Sequence, residues 1–146
     1  MQRAIERLRF AVHALPSILS KIPEGESEMR PSPERWTKKE VVGHLIDSAS
    51  NNHQRFVRGQ IAAGQDFLGY EQEKWVRLQD YQTARWGDLI DLWRAYNIHL
   101  IHVARNMSEE KRRATCRVGG GKDMTLAELF VDYVDHLEHH LAQVLA

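Results

Sequence analysis

Cysteine is nearly absent from this chain. Cys116 stands alone, so no intramolecular disulfide is available, and a free thiol suits a reducing compartment. Charge of one sign is missing too. Lys and Arg number 20, Asp and Glu 20, and the formal net charge is zero. A nucleic-acid binder would carry a basic excess or a basic stripe, and neither is present. No apolar run approaches membrane-spanning length. Met1 to Phe10 is charged and periodic, without the continuous apolar stretch and small-residue cleavage site of a signal peptide. These absences exclude nucleic acid and membrane as partners and make the cytoplasm the expected compartment. No internal repeat, low-complexity tract or shift of composition divides the 146 residues, so one domain over 1–146 is expected, long enough to bury a core unaided.

Alternating period-two segments of any length are also lacking, which directs the fold class to helices. Ile5, Leu8, Val12, Leu15 and Leu19 recur every three or four residues and mark a first amphipathic helix, with Pro16 a possible kink. The stretch Pro23 to Pro33 breaks the pattern and reads as a loop. Thr37-Lys-Lys-Glu40 has the form of a capping box and opens a second helix to about Ala63. Gly64 to about Ala84 is either a short helix or an ordered connection. A third helix is expected from about Arg85 to Met107, with Leu89, Leu92, Trp93, Tyr96, Leu100, Val103 and Met107 on its apolar side. Ser108-Glu-Glu-Lys starts a short turn, and Thr115 to Asp123, with three consecutive glycines, is a loop or small hairpin. Thr125-Leu-Ala-Glu128 is a second capping box opening the last helix. The sum is an all-α four-helix bundle.

Eight histidines are present, and helical phase at 100° per residue separates them. On the last helix His136 and His140 fall at one edge of the apolar arc formed by Leu126, Leu129, Phe130, Tyr133, Val134, Leu137, Leu141 and Val144. His139 falls among Glu128, Asp132, Asp135 and Gln143, the solvated face. Two imidazoles at i and i+4 stand one turn apart and can converge on one ion. A third ligand must come from another helix, and His44, at the margin of Val41, Val42, Leu45, Ala49 and Phe56, is the best placed. A lone core-edge histidine is more often packed than ligating, and for His44 taken singly that bland reading holds the advantage; the HxxxH pair shifts the balance towards a site. Ser48, Asn51, Asn52 and Arg55 share the His44 side of the second helix. Asn52 falls inside the apolar arc, where an unsatisfied amide is costly, so a cavity beside His44 is expected.

The segments Trp36-Thr-Lys-Lys-Glu-Val-Val-Gly-His44-Leu-Ile-Asp47, Asn51-Asn52, and Tyr133-Val-Asp-His136-Leu-Glu-His139-His140-Leu-Ala-Gln143 resemble the DinB-like superfamily of bacterial metal-binding bundles. The similarity runs from about Pro31 onwards. It implies a four-helix bundle of up-down-down-up topology, with zinc, nickel or a similar divalent ion on His44, His136 and His140. It also implies a function drawn from an uneven set: thiol transferases that use bacillithiol or glutathione, a mycothiol-dependent isomerase, and many members labelled only as metal-dependent hydrolases.

Three histidines leave a coordination position open, as catalytic zinc sites do. The expected activity is transfer of a small thiol to an electrophile. Metal-assisted hydrolysis is the second reading, and a non-catalytic metal-binding bundle or a homodimer that binds a partner is the third. Ser48, Asn51, Asn52, Arg55 and Tyr133 are the candidates to line the substrate pocket, Arg55 as the partner of a thiol cofactor's carboxylate. Asp47, one turn from His44, is either an imidazole-orienting carboxylate or an ordinary surface one. Gly119-Gly-Gly-Lys122 reads as a flexible turn rather than an anion cradle, and Cys116 as incidental. His99 and His102 are expected at solvated or edge positions.

Overall fold

The computed structural model describes residues 1–146. Four long helices, α1 (Gln2–Leu19), α3 (Lys38–Ile61), α5 (Trp86–Asn106) and α7 (Leu126–Leu145), form the bundle. Between them lie α2 (Glu24–Ser27), α4 (Gln72–Gln79), α6 (Glu109–Arg112) and three short strands, β1 (Gln65–Phe67), β2 (Thr115–Val118) and β3 (Met124–Thr125). Both expected capping boxes are formed. Thr37 Oγ1 accepts from the Glu40 backbone N–H at 3.2 Å while the Glu40 carboxylate accepts from Thr37 N–H at 2.8 Å; Thr125 and Glu128 repeat this at the start of α7, at 3.2 and 2.7 Å. Reciprocal capping satisfies orphan amides and sets the helical register of every residue downstream.

The strands fix the topology. β1, which follows α3, pairs in parallel with β2, which follows α5, with Gln65 opposite Cys116. The two helices therefore end at the same end of the bundle and run side by side in one direction. β3 pairs antiparallel with β2 and leads directly into α7, which must run the other way. Trp86 Nε1 at the start of α5 donates to the Leu19 carbonyl at the end of α1, at 2.9 Å, so α1 also opposes α5. The order is up, down, down, up. The hairpin between β2 and β3 turns on Gly119 and Gly120, with φ of 59° and 70°, a region where a Cβ is strained. The sheet adds a clasp to the helices; its strands of two to four residues are too short to show an alternation in sequence.

Thirty-two buried apolar residues form one core. Trp93, Phe56, Phe130, Ile5 and Leu8 are fully enclosed, each stabilising the fold by roughly 1.5–3 kcal/mol. Leu92 departs from expectation: it is 50% exposed, because the stripe that α5 buries runs through Leu89, Trp93, Leu100 and Ala104 and leaves Leu92 on the outer flank. The loop from Pro23 to Pro33 carries the one-turn α2, which presents two carboxylates to Lys39. That lysine is 2% exposed, with Nζ 2.5 Å from Glu24 and 2.8 Å from Glu28. Glu24 also accepts the backbone N–H of Trp86 at 3.0 Å. It supplies the start of α5 with an acceptor that Arg85 does not. One ion-pair cluster thus ties α2, α3 and α5 together.

Candidate metal centre

Because α3 and α7 are antiparallel neighbours, the second turn of α3 faces the final turns of α7. There His44, fully buried, meets His136 and His140, both half-buried. Nε2 of His44 stands 3.1 Å from Nε2 of His136. Ring centroids lie 4.7 Å apart for His44 and His140 and 4.5 Å for His136 and His140, and one nitrogen from each ring falls within 4.8 Å of the others. Ligand nitrogens on a tetrahedral ion with bonds of about 2.0–2.1 Å stand roughly 3.3 Å apart, so the three rings fit a divalent ion with small adjustment. Burial, together with the other two imidazoles, pushes His44 down to about 3; burial, with His140 next, takes His136 to about 4, and His140 is lowered as well. All three are therefore neutral at pH 7, the state in which an imidazole offers a lone pair.

The surroundings orient the rings unequally. Gln143, one turn beyond His139 on α7, bridges His140 to the neighbouring His139. Its Oε1 lies 3.0 Å from His140 Nδ1 and its Nε2 3.1 Å from His139 Nε2. His139 itself is exposed. Nδ1 of His44 and Nδ1 of His136 are buried without a partner. Packing holds these rings: Trp36 lies against His44 with ring centroids 4.9 Å apart, and 6.4 Å from His140, while the rings of His44 and His140, at 5.0 and 4.5 Å, flank His136. Trp36 closes one side of the cluster.

The other side opens. A cavity of about 300 Å³ has His136 in its wall, with Ser48, Asn52, Arg55 and Tyr133 beside it. Asn51 lies outside this wall. Its amide folds back along α3 and donates to the Asp47 carbonyl at 2.9 Å; Asn52, one position on, donates likewise to the Ser48 carbonyl at 2.9 Å but stands in the wall. Tyr133 contributes its ring only, since its hydroxyl donates to Asn97 Oδ1 at 2.5 Å. Burial raises its pKa far above the ordinary range. Asp47 is neither an imidazole orienter nor a surface group. It is 2% exposed and accepts from Tyr81 Oη at 2.6 Å and Gln79 Nε2 at 2.7 Å. Burial raises its pKa, against the pull of those two bonds. Tyr81 in turn packs on Gly43, where a Cβ would stand 2.1 Å from its Cδ2; only glycine lets this wall reach the helix that carries His44. Cys116 is buried on β2, and His99 and His102 are exposed.

Sequence reasoning missed Tyr70, Gln72, Val118 and Met124, which also line the cavity. Tyr70 comes from the connection after β1, where helical phase has no meaning, Gln72 from the first position of the short α4, and Val118 and Met124 from β2 and β3. Burial pushes the Tyr70 hydroxyl up to about 12, so it is a proton-bearing donor at neutral pH. Asp132 was placed on the solvated face of α7; it is exposed and also forms part of the cavity rim.

Comparison with known proteins agrees with this fold. A Bacillus licheniformis protein named "Putative metal-dependent hydrolase" is 23% identical across the whole chain, which spans 84% of that relative. YfiT of Bacillus subtilis, with the same descriptive name, is 26% identical over 110 residues, covering 75% of this chain and 62% of YfiT. The solved structure of YfiT, described as a probable metal-dependent hydrolase with an unusual four-helix bundle topology, superposes with a TM-score of 0.86 at 21% identity, over 99% of this chain and 83% of that one. The mycothiol-dependent maleylpyruvate isomerase superposes with a TM-score of 0.77 at 14% identity, over 96% of this chain and 59% of that one. Residues 7–144 match the pattern of one family throughout, and the chain belongs to the DinB superfamily.

Proposed function

We propose that this chain is a divalent-metal-dependent enzyme that transfers a small thiol to an electrophile. The observation that carries this reading is the one-sided site: three neutral imidazoles closed by Trp36 and facing, through His136, a cavity of about 300 Å³. His44, His136 and His140 would hold the ion and leave a position free. A divalent ion there supplies Lewis acidity, lowering the pKa of a thiol or water that enters from the cavity. The residues of the chain do the rest. Trp36 excludes water from the far side, Tyr133 and Leu129 give the reactants an apolar wall, and Ser48, Asn52 and Tyr70 offer hydrogen bonds along the other. None of the cavity side chains is a buried carboxylate or free histidine poised as a general base, and a thiol, more acidic than water, needs one least.

The test is spectroscopic. Cobalt-substituted protein is expected to develop a sulfur-to-metal charge-transfer band when a low-molecular-weight thiol is added. A spectrum unchanged across a panel of thiols counts against the reading. Hydrolysis is the second reading, favoured by one feature: Asp132 lies one turn before His136 and on the cavity rim, within reach of a water there. Metal-dependent cleavage of an ester or amide, lost in Asp132→Asn, would put hydrolysis first.

A further inference from the structure

Two cations of this chain are buried beyond nine-tenths, and they are treated differently. Lys39 is paired with two carboxylates, Glu24 and Glu28. Arg55, 8% exposed, has none within 4.0 Å: its Nη2 donates to the Leu68 carbonyl at 3.1 Å, and its Nη1 makes only a long contact, 3.5 Å, with Asn52 Oδ1. A guanidinium taken out of water without a counter-charge is destabilising, and folded chains rarely tolerate one without use. The charge is also placed. Arg55 stands in the wall of the cavity beside the histidines, with the Asn52 amide, the Ser48 hydroxyl and the protonated Tyr70 hydroxyl around the same space. The Leu68 carbonyl holds one terminal nitrogen and so leaves the rest of the fork to face the cavity. The only carboxylate in the lining, Asp132, belongs to the rim on α7 and makes no ion pair with Arg55.

We propose that Arg55 is the receptor for the carboxylate of a small organic acid, bound in this cavity with its other end towards His136. The proposal rests on the reading of the cavity as the substrate pocket and adds the chemical class of its occupant. The planar fork matches two oxygens of a carboxylate, and Ser48 and Tyr70 donate to what remains. Asp132 disfavours a second negative charge at the opposite edge. The favoured occupant is thus a monoanion whose uncharged, reactive end lies at the metal side. Phosphate monoesters share the chemistry of two oxygens on a fork but add charge and bulk.

Calorimetric titration of the metal-loaded protein with butyrate, its neutral isostere butyramide and inorganic phosphate tests this. Butyrate is expected to bind at least about tenfold more tightly than butyramide, the scale of one charge-assisted contact. That preference is expected to vanish in Arg55→Met and in Arg55→Gln and to survive, reduced, in Arg55→Lys. Arg55→Gln keeps a polar, uncharged amide in the wall, so it reports on the charge even where Arg55→Met does not fold. Equal affinity for acid and amide in the wild type overturns the proposal. So does a preference that persists without Arg55, since the carboxylate would then be held by the ion itself. Phosphate binding tighter than butyrate overturns the carboxylate assignment. The thiol reading stands apart from these outcomes: an Arg55-dependent butyrate preference with no thiol effect on the cobalt spectrum sinks the thiol step and leaves the receptor, and the reverse result sinks only the receptor.

Discussion

Nε2 of His44 lies 3.1 Å from Nε2 of His136, across the contact between α3 and α7 and 92 positions apart in sequence. Two neutral imidazole nitrogens at that separation either share one proton or direct two lone pairs at a third body. His140, with its ring 4.5 to 4.7 Å from both, makes the second arrangement the one that uses all three groups.

Removal of any one of these rings is therefore expected to abolish stoichiometric metal. His44→Ala, His136→Ala and His140→Ala should each purify without the ion, as read by plasma mass spectrometry on untagged protein. His139→Ala, altered on the exposed side of α7, should keep it. Metal lost from the His139 variant and kept by the His140 variant would reverse the assignment.

Acid should destabilise the metal-free protein before it touches most carboxylates. His44 and His136 are held at about 3 and about 4 in the folded chain, chiefly by burial, against about 6.5 when unfolded. Between those values the unfolded chain binds protons that the folded chain refuses. Stability is thus complete above about pH 6.5 and falls as the pH drops towards 4. Asp47, raised by burial, works in the opposite sense but is one group against three histidines. Urea midpoints should decline from about pH 7 to about pH 5, more steeply with metal present because protons then compete with the ion as well. A flat profile would contradict the burial of the cluster.

Gly43→Ala should be costly out of proportion to its size. The added Cβ would stand 2.1 Å from the Tyr81 ring, and displacing that ring strips Asp47 of its shortest hydrogen bond. Overpacking of this kind costs about 1–3 kcal/mol. A shift of the denaturation midpoint under about 0.5 kcal/mol would mean that the ring moves freely.

Trp36→Ala should leave metal stoichiometry intact and hasten its loss. The indole covers His44 and His140, so a chelator would gain a second approach. Roughly tenfold faster transfer to a colorimetric chelator is expected, the scale of other outer-shell changes at metal sites. An unchanged rate would show that the ion leaves only through the cavity of Arg55.

What could be read from the sequence was whatever repeats along a helix. Thr37 and Thr125 announced the starts of α3 and α7, and from those starts phase set His44, His136 and His140 at the edges of their own apolar arcs and His139 outside. Asn51 shows the resolution of the method. It shares the phase of Ser48 and Arg55 closely, yet it stays outside the wall while Asn52, with the same back-bond along the helix, stands in it. Tyr70 escaped for a different reason, since it follows β1 in a connection whose path is set by pairing with β2, and Gln72 opens the short α4 just beyond it. Lys39, a polar residue in an otherwise unremarkable first turn, gave no sign of burial; only its meeting with Glu24 and Glu28, from a loop more than ten positions back, makes burial tolerable.

The amide of Gln143 has a consequence for chemistry one residue removed from the surface. With Oε1 towards His140 Nδ1 and Nε2 towards His139 Nε2, it accepts a hydrogen bond from the first ring and donates one to the second. His140 must then carry its hydrogen on Nδ1 and present a bare Nε2 to the centre. Turned by half a rotation, the same amide would offer a donor to Nδ1, drive the hydrogen to Nε2 and block the nitrogen an ion requires. His139, which takes no part in the cluster, holds the amide the right way round by accepting from it. A side chain in solvent thus selects the tautomer of one that is not.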